Sequence, residues 1–263
     1  MLTYKEALQS GRIYCIKPDG IDTSERDGLS EEQAWRTLQW FYNSLVSTID
    51  INGQNITAYL YPNYGGTGLN ITKTFGTTYG SINIRPHPSV TTPIVFTEGI
   101  SIGVKQPGAL CVYGEGKFKF VTAGALGALD QSLIAFSGIE FGEGSTHIFA
   151  QNGGVVRCDG PYTISGGAMA HVNVSDKGKV EIRQTTRTFI NSPNFSQAFA
   201  LVDSYGRFVS YGMTEINNCT GLKAVVNGYG IVDTGTGSLN VLPGNSNGVI
   251  ATNTDGSLLG LVR

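Results

Sequence analysis

HIFAQNGGVVRC (residues 147–158) and HVNVSDKGKVEIR (residues 171–183) are two copies of one pattern set 24 residues apart. Each runs from a histidine through alternating apolar residues to a polar turn that ends in glycine, then alternates again. Two and four positions after the turn glycines Gly154 and Gly178 stand Val156 and Cys158, and Val180 and Ile182. Four and six positions before them stand Ala150 and Ile148, and Val174 and Val172. The odd positions are polar: Gln151 and Arg157 in one copy, Ser175 and Glu181 in the other. Period-2 alternation on both sides of a turn describes two strands, each with one buried face. The turns, Gln151-Asn152-Gly153-Gly154 and Ser175-Asp176-Lys177-Gly178, use residues that tolerate the left-handed backbone of a sharp corner.

The frame recurs at Gly206 and Gly230, with spacings of 28 and 24 residues, and at Gly116 after a longer gap of 38. It predicts an inward column of Phe118, Val156, Val180, Phe208 and Val232. Arg157, Glu181, Val209 and Asp233 are expected outside, with Arg157 and Glu181 close enough for an ion pair between coils. The gap between 116 and 154 has to hold an inserted loop or a coil without a recognisable glycine. Leucine-rich repeats share this period, but their leucine positions and following helices are missing. The expected fold is all-β: a right-handed parallel β-helix whose coils occupy residues 56–240.

Composition agrees. The 263 residues include 36 glycines and only 14% charged residues, which suits many tight turns between short strands. The net charge of −2 and the absence of a basic run argue against a nucleic-acid partner. Cys15, Cys111, Cys158 and Cys219 are too scattered for a zinc site and read as small buried apolar side chains. No stretch is apolar enough to insert in a membrane. The opening MLTYKEALQSG lacks a signal-peptide core, so synthesis in a cytoplasm is expected.

The N-terminal part follows another rule. Residues 12–55 read as a strand (Arg12–Lys17), a loop rich in Asp and Gly, and a helix over 31–47. Ser30 would be the N-cap and Gln33 its partner at the third helical position, with Ala34, Leu38, Phe41, Tyr42 and Leu45 on the buried face. Such a helix would cover the open end of the coil stack. The run IYCIKPDGIDTSERDGLSEEQAWRTLQWFYNSL, followed by NITAYLYPNYGG, resembles the opening of pectate-lyase-like β-helix proteins, common in bacteriophage tailspikes and related virion proteins. Asp27-Gly28-Leu29-Ser30 and Ala34, Thr37, Leu38 and Gln39 carry the resemblance, together with Leu242-Pro243-Gly244-Asn245-Ser246-Asn247-Gly248 and Asp255-Gly256-Ser257 near the C-terminus.

The resemblance implies a virion protein, a homotrimer, with residues 1–11 attaching it to other virion proteins. Residues 241–263 would pack between subunits through Val249-Ile250 and Leu258–Val262. A small tail spike or fibre module touching the host surface is the first expectation. A capsid decoration or cement protein, or a tail adaptor, is the second, and a polysaccharide depolymerase the third. No cofactor is implied.

For catalysis, glycoside hydrolysis needs two carboxylates flanking one bond. Asp130, Glu140, Glu143 and Asp159 are the candidates, Glu140 and Glu143 foremost because they lie in the irregular 116–154 region. His147 and His171 hold the same position in successive coils, followed by Phe199. They are candidates for a two-histidine metal site or, more simply, a side-chain stack on one flank. Tyr205, Tyr211 and Tyr229 are the candidates for stacking on sugar rings of a host polysaccharide, and Tyr205 and Tyr229, each just before a turn glycine, should stack on each other. Arg157, Arg183, Arg187 and Arg207 are expected on the surface.

Overall fold

The computed structural model of the chain describes residues 5–74, 80–183, 186–211, 219–250 and 260–263. It is a parallel β-solenoid of about seven turns. Among the described residues every strand pair is parallel, with register shifts only between Ser137 and Ile139 and between Ala168 and Ala170. The first sheet stacks Arg12–Ile16, Asn55–Leu60, Ser81–Pro86, Ala109–Phe120, Leu133–Phe141, Val155–Cys158, Lys179–Arg183, Arg207–Tyr211, Gly230–Asp233 and Gly260–Val262. A shorter second sheet pairs Ile94–Phe96, residues 118–120, residues 139–141, Tyr162–Ile164 and Arg187–Phe189. The third sheet runs from Leu69–Ile71 to Val249–Ile250. Ala109–Phe120 and Leu133–Phe141 pass through both of the first two sheets, with a bulge between Ser137 and Ile139.

The predicted inward column is present. Val156, Val180, Phe208 and Val232 lie in register, each fully buried. Arg157, Glu181, Val209 and Asp233 form the adjacent outward row, although Val209 and Asp233 are themselves covered. The turns before them have two consecutive left-handed residues: Asn152 and Gly153, Asp176 and Lys177, Ser204 and Tyr205, Gly228 and Tyr229. Each is closed by a bond from the frame glycine N–H to the carbonyl three residues earlier, the pattern of a type I′ turn. The frame glycine answers a different constraint, close approach of backbone. A Cβ on Gly154 would stand 2.1 Å from the Ala128 carbonyl oxygen, and one on Gly178 2.2 Å from that of Ala150.

Gly116 does not belong to this frame. Phe118 pairs with Ile94 and Ile139 in the second sheet, and the column continues instead through Leu110 and Ile134 to Ile82 and Ile56. The earlier frame positions are Gly80, Gly108 and Ser132. Ser132 closes the same turn after left-handed Asp130 and Gln131, so the long gap contains one ordinary coil whose glycine is replaced by serine.

The cap also differs from expectation. Helix α1 spans Leu38–Thr48, with Thr37 as its N-cap accepting from the Trp40 N–H. Ser30 does accept the Gln33 N–H, but no helix follows. Trp35 is drawn into a bridge with Ile16 and stacks on Tyr14 with ring centroids 5.6 Å apart. The Asp22 carboxylate binds the Arg36 and Thr37 N–H groups and the Thr37 hydroxyl, which fixes the later start. Leu38, Phe41, Tyr42 and Leu45 are buried against the end of the stack, as the periodicity predicts, and Ala34 is buried outside the helix.

At the other end the described parts of the two apolar islands extend the sheets but are only partly buried, with Val249 and Leu261 about half exposed. Val249–Ile250 joins the third sheet and Gly260–Val262 the first, with Ile250 and Val262 packed on the core. Residues 258–259 lie outside the described residues. All four cysteines are buried, and none is in a disulfide. Among the described residues no helix is long and apolar enough to cross a membrane.

Candidate functional site

His147 and His171 are neighbours in the stack, with Phe199 next, 4.9 Å from His171 between ring centroids. They are not on an outer flank. Residues 170–172 and 198–200 are each buried three in a row, because the third-sheet strand turns a corner there and the histidines point inside. The hydrogen bonds fix every proton. His147 Nε2 faces the Gly142 carbonyl at 2.8 Å and must donate to it. Its Nδ1 therefore accepts from His171 Nδ1 at 3.0 Å, and His171 Nε2 accepts from the Tyr162 hydroxyl at 3.0 Å. Burial holds His147 at a pKa of about 4 against the opposing pull of the Gly142 carbonyl. Burial, then the nearby His147 and Arg187, hold His171 well below the ordinary range. Both rings are neutral, and the two nitrogens that would converge on a metal are bonded to each other. Among the described residues no third His, Cys, Asp or Glu joins them.

Arg187 lies inside the stack rather than on its surface. It occupies the inward position of the second sheet next to Tyr162 and is 4% exposed. Nη2 donates to the Ser210 hydroxyl, and Nε and Nη1 have no partner.

The four candidate carboxylates are dispersed. Asp130 sits in a left-handed turn and accepts from Asn152. Asp159 is held by Arg157 and the Tyr113 hydroxyl. Glu140 faces a groove of about 430 Å³ beside Glu115, Tyr162 and Thr163, ion-paired with Lys119 at 2.6 Å and bonded by the Ser165 hydroxyl. Burial pushes its pKa up, but the bonds from Lys119 and Ser165 outweigh it, and Glu140 stays ionised. Glu143 lines a different groove, with Gly166, Gly167 and Asn191. The expected Arg157–Glu181 pair is absent: Arg157 binds Asp159 within its own strand region, and Glu181 binds Lys179 and Arg183.

Tyr205 and Tyr229 do stack, with centroids 5.2 Å apart and planes within 15°. Both are more than half exposed, and both have φ of 63°. A bulky side chain in that conformation is an outlier, costing roughly 1–2 kcal/mol each. Gln131, Gly153 and Lys177 fill the same slot in earlier coils. Tyr211 stands apart, at the far end of its strand, with the Arg183 guanidinium 5.4 Å from its ring centroid.

Tyr211 belongs to a row that sequence reasoning missed. Five residues beyond each turn position come Tyr59, Arg85, Tyr113, Ser137, Asp159, Arg183 and Tyr211, on the outer face of the first sheet. Arg85 lies 5.0 Å over Tyr113, and His87 stacks on Tyr61 at 4.0 Å. Placing the frame at Gly80 and Gly108 would have exposed this alternation of aromatic and charged side chains. Compared with known proteins, the chain matches no family model, no curated protein and no solved structure.

Proposed function

We propose that the protein is a virion component of the tail-spike or fibre type, a homotrimer that holds a host-surface polysaccharide without cleaving it. The observation that carries this reading is the exposed Tyr205–Tyr229 stack. Two stacked rings on consecutive coils of a stiff scaffold, kept at a conformational cost and more than half exposed, leave their outer faces and edges open to ligand rings. The aromatic and charged row on the outer face of the first sheet is a separate surface of related chemistry. A role in binding rather than cleavage is supported by Glu140, which is ionised and ion-paired, and by Glu143, which faces another groove. The virion assignment rests on the resemblance of the N-terminal run.

Binding to arrays of bacterial lipopolysaccharides and capsular polysaccharides tests the reading. The expected result is retention of at least one glycan without release of reducing ends, lost on replacing Tyr205 and Tyr229 together by alanine. No glycan bound would defeat the host-contact role. Reducing ends released by the protein and lost in Glu140→Gln would replace it with a depolymerase. Gold-labelled antibody on intact particles tests the location.

A further inference from the structure

A second groove, of about 550 Å³, lies on the outer face of the third sheet under helix α1, far along the chain from the tyrosine stack. Its walls include Phe149, Asn70, Ser101, Glu98 and Gln39. Phe149 points outward and lies on glycine: a Cβ on Gly127 would stand 1.9 Å from its ring, and one on Gly124 3.3 Å. These two absent side chains let the phenyl ring lie against the sheet, with its other side part of the groove. Around it are polar side chains held by hydrogen bonds. Ser101 donates to the Asn70 side-chain oxygen at 3.2 Å, Gln39 accepts the Asn70 backbone N–H at 2.9 Å, and one Glu98 oxygen accepts the Gly68 N–H at 3.1 Å. The Asn70 amide NH₂ is thereby left to donate and the second Glu98 oxygen to accept. Among the described residues no lysine or arginine lines the groove.

We infer that this groove is a binding site for a neutral pyranose unit, stacked by its C–H face on Phe149, with one hydroxyl accepting from Asn70 and another donating to Glu98. A hydroxyl is both donor and acceptor, so this mixed pair suits it. A phosphate or a uronate would face Glu98 with no cation to balance it. The site goes beyond the proposed host-contact reading and does not need it. It uses other residues, on another sheet.

The test is saturation-transfer NMR on the full chain with cellotetraose, maltotetraose and chitotetraose, and with trigalacturonate as the acidic comparison. It is done in the Tyr205→Ala, Tyr229→Ala background, so that the tyrosine stack contributes nothing. The expected result is transfer to at least one neutral tetrasaccharide, weakened tenfold or more by Phe149→Ala and also by Asn70→Ala, whose outward side chain supports no core. Trigalacturonate should bind only when Glu98 is replaced by glutamine, if at all. Absence of transfer to all three neutral sugars overturns the inference. So does transfer that survives both variants, or a preference for trigalacturonate in the chain with Glu98 intact. Loss of the tyrosine-dependent polysaccharide binding alone would defeat the earlier reading and leave this one standing.

Discussion

The Tyr162–His171–His147–Gly142 chain has one donor and one acceptor at every link, and it admits no extra proton. Unfolded histidines titrate near 6.5. In the fold, His147 is depressed to about 4 and His171 well below the ordinary value, so the unfolded state binds more protons as pH falls below 6.5. Stability is full above that value and drains away down towards pH 4, by about 3 kcal/mol for His147. Burial raises the Tyr162 pKa further, so its hydroxyl stays neutral throughout this window. Denaturant unfolding at pH 7.5 and at pH 5 should show the loss, and His171→Phe, which extends the aromatic column of Phe199, should reduce it. Equal stability at the two pH values would refute the proton assignment. Arg187 is the other inward residue that alternation did not reveal. Its buried guanidinium is desolvated with two nitrogens unpartnered, so Arg187→Met should leave thermal stability unchanged or raise it. A drop of several degrees would show that the charge is compensated.

At the level of single coils, the period-2 pattern is local, and this is why the column Val156, Val180, Phe208, Val232 was legible from glycine spacing alone. What the spacing cannot distinguish is a glycine required by contact from one required by conformation. Gly178→Ala places a methyl group 2.2 Å from the Ala150 carbonyl oxygen and should cost about 2–3 kcal/mol. Gly116 has φ of 75° and open space around it, so Gly116→Ala should cost only about 1 kcal/mol. Chemical denaturation of the pair separates true frame positions from the false one. The helix start was misplaced for the opposite reason: it is decided by distant partners. Trp35 bridges to Ile16, and Asp22 reaches across the loop to residues 36 and 37, information absent from residues 30–33. Thr37→Ala should therefore cost about 1 kcal/mol. Ser30→Ala, in an exposed turn with no helix behind it, should stay within about 0.5 kcal/mol. The reverse order would restore the earlier start.

Over the whole molecule, a solenoid contacts only its neighbouring coils, so its middle is closed and its ends are where unsatisfied surface collects. The N-terminal end is covered by α1. The C-terminal end is closed in part by Val249–Ile250 and Gly260–Val262, and Asp233, bonded by both Arg207 and Arg263, fastens the last strand. Val249 and Leu261 still stand about half exposed on outer faces of the last turns. A closed symmetric assembly is a common way to bury such a surface without open-ended growth. If three copies meet along this end, sedimentation equilibrium should give three times the chain mass of 28.0 kDa. Hydrogen exchange should be slower at Val249–Ile250 than its half-exposed position in one chain allows. Leu261→Lys, which leaves the inward Val262 in place, should shift the mass towards one chain while the circular dichroism of the coils is unchanged. A single-chain mass for the unaltered protein would end the trimer proposal and leave the tyrosine stack as a site on an isolated solenoid.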